Sequence, residues 1–297
     1  MVEKKAYGKI NLGLDIIGRR EDGYHLVRMI MQSVDIFDIL TFEKAEPEGE
    51  ISITATNDPS LSLGEDNLIY KACRLLMDSY GIKEGVKVEL TKNIPIAAGM
   101  AGGSSDCAAA LEGMNELFGL GLSSEKLREI GVTLGADVPY CIMGGTAVSE
   151  GIGEVLTRLP ELPEATFLIA KPVFGISTKE AYGAFDSIPS ENVVHPDIDG
   201  MAEAIRKGDL NGVTDRLGNV LEQASIPAHP EIEEIKKIMI ENGAENALMS
   251  GSGPTVFGIF RDSEPGKGYE KAWKALEVLK DDYISELFVV GAAPLKN

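Results

Sequence analysis

Cysteine is scarce in this chain. Its three residues, Cys73, Cys107 and Cys141, sit in apolar or Ala-rich surroundings and form no CxxC pair. An odd, sparse set argues against a secreted disulfide framework, gives no zinc-cluster spacing and fits a reducing compartment. Long hydrophobic runs are also missing. No stretch of about 18 apolar residues occurs, so no membrane span is expected. The opening MVEKKAYGKINLG has no apolar leader region, and a cytoplasmic location is the expectation. Positive charge is in short supply: Lys and Arg number 28 against 47 Asp and Glu, for a net charge of −19. Such a surface repels nucleic-acid phosphate, so no nucleic-acid partner is expected. A small anion needs a local cluster of cations or backbone N–H groups that reverses the field. No internal repeat or low-complexity tract occurs, and no obligate protein partner is implied.

What remains is ordinary globular material, with 44% hydrophobic and 25% charged residues over 297 positions. At about 150 residues per domain this predicts two domains. Strand patterns run from Ile36 to Phe42, Ile51 to Ala55 and Val86 to Leu90, and the last alternates apolar with charged residues, as a strand with one wet face does. Helical spacing links Ile69, Cys73, Leu76 and Tyr80, with Asp66 or Asn67 as cap and Gly81 as stop. A second helix is expected after Ser104-Ser105, striped by Cys107, Leu111, Met114 and Phe118. A third starts near Ser123 or Ser124. The proline-containing RLPELPEA segment, around Pro160 to Pro163, reads as a link between domains, followed by a strand at Thr166 to Ala170. Residues 186–200 have two prolines and no period, and read as a mobile loop. Helices are predicted at 199–207, 209–223 and 230–242. The end of the chain reads β-β-α-β, the order of a split βαβ sandwich.

The sharpest chemical feature is Pro95-Ile96-Ala97-Ala98-Gly99-Met100-Ala101-Gly102-Gly103-Ser104-Ser105, between a strand and a helix. Small residues let backbone N–H groups converge on one point, and the following helix aims its positive end there. Phosphate is the natural occupant. Ser104 and Ser105 are candidates for the helix cap, for a phosphate oxygen or for a metal. Neither GxxxxGK[ST] nor GxGxxG spacing is present. A second glycine-rich turn, Ser250-Gly-Ser-Gly-Pro254, reads equally as a hairpin bend or as part of a site. Asp137, in Leu134-Gly-Ala-Asp-Val-Pro139, stands where cap and turn aspartates are commoner than catalysts. Lys9, between Gly8 and Ile10, reads as an edge charge. Tyr24 and His25 follow Asp22-Gly23 as turn residues do. Arg19, Arg20 and Arg28 either offset the local acidity or are solvated surface charges.

Taken together, these segments resemble one family. The glycine-serine loop, GKINLGLDIIGRREDGYH (8–25), Asp66-Asn67-Leu68-Ile69, TLGADVPY (133–140) and LMSGSGPTVFGIF (248–260) are similar to the GHMP small-molecule kinases, and the resemblance covers essentially the whole chain. The longer motifs point to the branch acting on a cytidylyl diphosphate ester of methylerythritol, in non-mevalonate isoprenoid biosynthesis. The resemblance implies an α+β fold of two domains, an N-terminal ribosomal-protein-S5-like domain (1–160) and a C-terminal ferredoxin-like α/β sandwich (161–297). It implies an ATP- and Mg²⁺-dependent transfer of phosphoryl to the substrate's tertiary 2-hydroxyl. The loop from Pro95 to Ser105 would hold ATP phosphates, and Asn67, Leu68 and Lys92 would line the adenosine pocket. Asp137 would take the hydroxyl proton, Lys9 would lie beside it, and Asn11 would orient the hydroxyl. Tyr24 and Tyr182 would stack on cytosine, and His25 would bond its edge. No dedicated protein metal site is implied; Mg²⁺ comes with ATP, with Ser104 or Ser105 as a contact. Met100 and Ala101 stand where the family usually has leucine and glycine, and Ala101 demands negative φ or some strain. A mevalonate- or homoserine-type kinase is the alternative; those substrates have no base to stack, so the DGYH segment and the aromatic pair argue against them. A non-catalytic sensor on the same fold should lack Lys9 or Asp137, and both are present.

Overall fold

The computed structural model describes residues 1–55, 57, 61–262, 266–280 and 284–294. The chain opens with β1 (Val2–Arg19), β2 (His25–Ala45), β3 (Ile51–Ala55), α1 (Leu68–Tyr80) and β4 (Gly85–Thr91). Next come α2 (Gly102–Leu117), α3 (Ser124–Gly131), α4 (Val138–Met143), β5 (Thr146–Glu150), β6 (Val155–Arg158) and β7 (Ala165–Pro172). Then follow α5 (Thr178–Phe185), α6 (Ile198–Arg206), α7 (Leu210–Thr214), β8 (Gly218–Asn219), α8 (Glu222–Ala228) and α9 (Glu231–Glu241). The chain continues through β9 (Asn246–Met249), β10 (Val256–Arg261), α10 (Lys267–Leu279) and β11 (Ile284–Val290).

Two compact units divide these elements. The first comprises residues 1–8, 36–96 and 101–144. In it β3 pairs parallel with β4, and β4 pairs antiparallel with Ile39–Ala45 of β2. Val86, Val88 and Leu90 are buried while Lys87 and Glu89 pair across the wet face at 2.7 Å. Helix α1 buries Ile69, Ala72, Cys73, Leu76 and Met77; Asn67 Oδ1 accepts from Ile69 N, and Gly81 stops the helix at φ +66°. Each fully buried aliphatic side chain of this kind contributes about 1.5–3 kcal/mol. Helix α2 packs on α1 and α4. It carries Ala108, Ala109 and Ala110 inside, and Gly113 lies against the Phe42 ring, where a β-carbon would not fit. Burial pushes the Cys73 and Cys107 thiols up to about 12, so both behave as apolar core residues.

The second unit comprises residues 9–35, 97–100 and 145 onward. Met29–Gln32 of β2 pairs with β5, β5 with β6, and Gly13–Leu14 of β1 runs parallel to β8. A separate antiparallel sheet has the order β11-β7-β10-β9. That order, with α10 between β10 and β11, is the split βαβ arrangement expected from the sequence. Phe167, Ile169, Phe257, Ile259, Met239, Leu276 and Leu279 are buried in this unit's core.

Four sequence expectations are corrected. Helix α2 starts at Gly102, so Ser104 and Ser105 lie inside its first turn and do not cap it. The helix expected at 209–223 is broken: α7 ends at Thr214, and Gly218–Asn219 leave it to pair with β1. The β5–β6 hairpin and α4 lie where no element was foreseen. The segment 186–200 has a 3₁₀ turn at Ser190–Asn192, and α6 begins within it at Ile198. It is fastened by Val194 N donating to Gln223 Oε1 at 2.9 Å and by a 2.7 Å bond between His195 Nδ1 and Asp15 Oδ1.

Candidate active site

In the second unit the site is built on β1. Residues two apart on a strand share a face, and Lys9 and Asn11 do so here, both buried, with Lys9 only 5% exposed. The Lys9 ammonium donates to Asn11 Oδ1 at 2.7 Å and to the Gly99 carbonyl at 3.2 Å. Lys9 N donates to Met100 O at 3.1 Å. The edge-charge reading of Lys9 is therefore replaced by a buried cation held against the glycine loop. The Ser250–Pro254 turn joins β9 to β10 as a hairpin bend, and it also touches the glycine loop and β1. Ser250 Oγ donates to Gly99 O at 3.2 Å and accepts from Asn11 N at 3.3 Å. Gly99 has φ +68°, and a β-carbon there would collide with Ser250 O, so both conformation and space require glycine. Ala97 also sits at positive φ, +52°. Ala98 and Met100 are buried while Ile96 is exposed, so the loop alternates anchors with presented backbone.

In the first unit, Pro95 and Ile96 lead into the loop and Ala101 leads out. Ala101 occupies the N-cap of α2 at φ +56°, the strained alternative anticipated for it, and supplies no side-chain cap. The first N–H groups of α2 thus meet no capping side chain, the arrangement that favours an anion. Ser105 is buried and its hydroxyl donates to Tyr7 O at 2.6 Å, whereas Ser104 is half-buried. A β-carbon on Gly102 would lie 2.9 Å from Lys92 Nζ, and one on Gly103 would lie 3.8 Å from Leu68. Lys92 and Leu68 therefore both border the start of α2. Asn67 is engaged in capping α1.

Lys92 is itself gripped. Its ammonium donates to Asp38 and, at 2.9 Å, to Asp106. Asp38 also accepts from Asn93 N and, at 2.8 Å, from Ile94 N, fastening the backbone just before the loop. Burial pushes the Asp106 carboxyl well up, against the pull of Lys92. Burial acts on Lys92 the other way, but the two carboxylates together hold its amine above the usual value. Neither Asp38 nor Asp106 was picked out from sequence; the available signal was a lone aspartate between Phe37 and Ile39 in an apolar strand.

Asp137 stands at the N-cap of α4, yet its side chain makes no capping bond to that helix. It is half-buried. A β-carbon on Gly135, two residues before it, would lie 3.7 Å from Ser104 Oγ, so this turn and the start of α2 are neighbours.

The second unit also gathers the aromatic residues. The His25 and Tyr182 rings lie 4.9 Å apart, and His25 Nε2 is 2.7 Å from Asp186 Oδ1. Tyr24, next to His25 in sequence, is 60% exposed. Each arginine of this region has a carboxylate partner: Arg19 with Asp186 at 3.2 Å, Arg20 with Asp22 at 2.7 Å and Arg28 with Asp199 at 2.6 Å. Among the described residues, no group of three or more His, Cys, Asp or Glu side chains is placed to hold a metal, and no helix is long and apolar enough to cross a membrane.

Family models for the GHMP kinases N terminal domain and the GHMP kinases C terminal match residues 67–145 and 201–277. A 4-diphosphocytidyl-2-C-methyl-D-erythritol kinase of Lachnospira eligens is 55% identical over 263 residues, covering 89% of this chain and 90% of that protein. The enzyme of the same name from Clostridium perfringens is 47% identical over 297 residues, covering all of both chains. A crystal structure of 4-(cytidine 5'-diphospho)-2C-methyl-D-erythritol kinase superposes with a TM-score of 0.81 at 30% identity, over 99% of this chain and 100% of that one. With the fold, the glycine loop and the buried lysine in place, this chain belongs to the GHMP kinases, in the family of 4-diphosphocytidyl-2-C-methyl-D-erythritol kinases.

Proposed function

We propose that this chain transfers the γ-phosphoryl group of ATP to the 2-hydroxyl of 4-diphosphocytidyl-2-C-methyl-D-erythritol, giving the 2-phosphate and ADP. The observation that carries the chemistry is the buried Lys9 ammonium, held by Asn11 and by a carbonyl of the glycine loop. A tertiary alcohol is a crowded nucleophile, and phosphoryl transfer depends on in-line positioning and charge neutralisation. The Pro95–Ser105 backbone and the uncapped start of α2 supply donors for the phosphates. Leu68 and Lys92 border that start, which supports an adenosine pocket there with Asn67. Asp137 is the base for the hydroxyl proton, Lys9 neutralises the developing charge, and Asn11 orients the acceptor. Mg²⁺ accompanies ATP and adds charge neutralisation; Ser104 fits it better than Ser105, whose hydroxyl is engaged by Tyr7 O. A cytoplasmic location and a domain boundary near residue 160 belong to the same proposal.

Tyr24, Tyr182 and His25 receive the cytosine, a role that the existing contact of His25 with Tyr182 supports. Base–aromatic stacking contributes roughly 1–3 kcal/mol. Tyr182→Ala is accordingly expected to raise KM for the cytidylyl substrate by about tenfold or more, leaving KM for ATP unmoved. Steady-state kinetics with each substrate varied check this; a variant that chiefly fails to fold makes Tyr182 a core residue instead.

The whole reading is tested by incubating the purified protein with Mg-ATP and the diphosphocytidyl substrate. ADP release with one phosphate added at the tertiary oxygen is the expected result. Turnover of mevalonate or homoserine in its place overturns it.

A further inference from the structure

The turn that touches Gly99 is rich in glycine, and Gly253 N donates to Ser250 O at 2.9 Å within it. Gly251 and Gly253 adopt φ +58° and +79°, and its residues are small. Its backbone is also gripped from one side by two side chains that the kinase chemistry does not use. Asn219 is 6% exposed, and its Nδ2 donates to Met249 O at 2.9 Å and to Gly251 O at 2.8 Å. Its Oδ1 accepts from Leu221 N at 3.0 Å, so both ends of the amide are engaged and its orientation is determined. Glu222 Oε1 accepts from Met249 N at 2.8 Å, while its Oε2 takes the Lys236 ammonium at 2.9 Å. Met249 is therefore held at both its N–H and its carbonyl, and Gly251 at its carbonyl.

We propose that Asn219 and Glu222 are positioning residues for phosphoryl transfer: they clamp the Met249–Gly251 backbone so that Ser250 and Gly99 hold the Lys9 ammonium in place. The connection is a closed chain of contacts within one unit. Asn219 pairs with Leu14 of β1, the strand that carries Lys9. From Asn219 the clamp runs to Met249 and Gly251. Ser250 Oγ, between them, bonds Asn11 N and Gly99 O. Gly99 O in turn accepts from Lys9 Nζ. A β-carbon on Gly251 would lie 3.4 Å from Lys9 Nζ, so the turn itself forms a wall beside the ammonium. A lysine head on a four-carbon stem takes the position its acceptors dictate. Displacing Gly99 O by a fraction of an ångström displaces the charge that must meet the transition state. Removing the Asn219 amide also leaves two buried carbonyls without their donor, which drives the turn to move. The proposal rests on the catalytic reading of Lys9.

The test is a double-mutant cycle on the full-length chain, with kcat, both KM values and thermal unfolding measured for each variant. Asn219→Ala is expected to lower kcat about tenfold with KM for ATP changed by less than about threefold. In a Lys9→Ala background the same substitution is expected to cause almost no further loss, because the group it positions is gone. Glu222→Ala should behave likewise, and Glu222→Gln, which keeps the acceptor for Met249 N, should recover most of the lost rate. Hydrogen exchange at the Asn11 and Ser250 amides should quicken in Asn219→Ala. Fully additive losses in the double variant, or a fall in unfolding temperature with kcat retained, overturn the clamp. Should Asn219→Ala not fold, the Glu222 pair decides by the same criteria. Absence of turnover in the unsubstituted protein would instead defeat the catalytic reading of Lys9, and unchanged amide exchange in Asn219→Ala would then defeat the clamp separately.

Discussion

Asp137→Asn is expected to lower kcat by two orders of magnitude or more while the protein remains folded and nucleotide affinity is kept. A positioned base contributes about 10² to 10⁴-fold in rate, and each factor of ten is about 1.4 kcal/mol of barrier. The amide has nearly the carboxylate's shape, so packing is preserved, but it accepts no proton at neutral pH. The cap of α4 is not at stake in this substitution. Asp137 sits at the N-cap of α4 without capping it through its side chain, so replacing the carboxylate removes no cap bond. The helix is held instead by its buried residues Val138 to Met143. Steady-state kinetics with saturating ATP and cytidylyl substrate, alongside thermal unfolding, give the check. Turnover within about threefold of the unsubstituted enzyme removes Asp137 from the base role.

The same residue shows what could be read from sequence and what could not. A local motif gave its turn and its place before Val138-Pro139, but an aspartate at a helix start is ambiguous until the capping bond is found present or absent. Helix α1 was legible to within one residue because its signals are local: Asp66 or Asn67 as the cap, of which Asn67 takes the place, apolar spacing, and Gly81 in the left-handed region. The start of α2 was not. Ala101 takes φ +56°, a conformation that costs an alanine about 1 kcal/mol and that residue preference alone argues against. The break after α7 was hidden for a related reason. Residues 209–223 have acceptable helical spacing, but Asn219 gains two carbonyl partners 30 and 32 residues away, and this non-local exchange overrides propensity. Lys9 was legible as a motif position and misread as an edge charge, since depth in a sheet is not encoded by the two flanking residues. The Lys92, Asp38 and Asp106 group joins residues 54 and 14 apart, again beyond any local pattern.

Lys9→Ala is expected to lower kcat by about 10² to 10³-fold, the usual effect of deleting one charged donor aimed at a developing oxyanion. KM for ATP should change little, because on the proposed reading the phosphates would draw their donors from the loop backbone and the start of α2. The substitution has a structural effect that must be separated from this one. Asn11 Oδ1 loses its 2.7 Å donor in a buried setting, a loss of roughly 1–3 kcal/mol of stability. Gly99 O keeps Ser250 Oγ as a donor, so the loop itself should hold. Rate at saturating substrates and unfolding temperature therefore move for different reasons and are measured on the same samples. Lys9→Arg should not restore turnover, since a planar fork cannot occupy a space shaped for a compact ammonium between Asn11 and Gly99. A rise in KM for ATP with kcat retained would assign Lys9 to nucleotide binding, and the carboxylate at position 137 would then act without it.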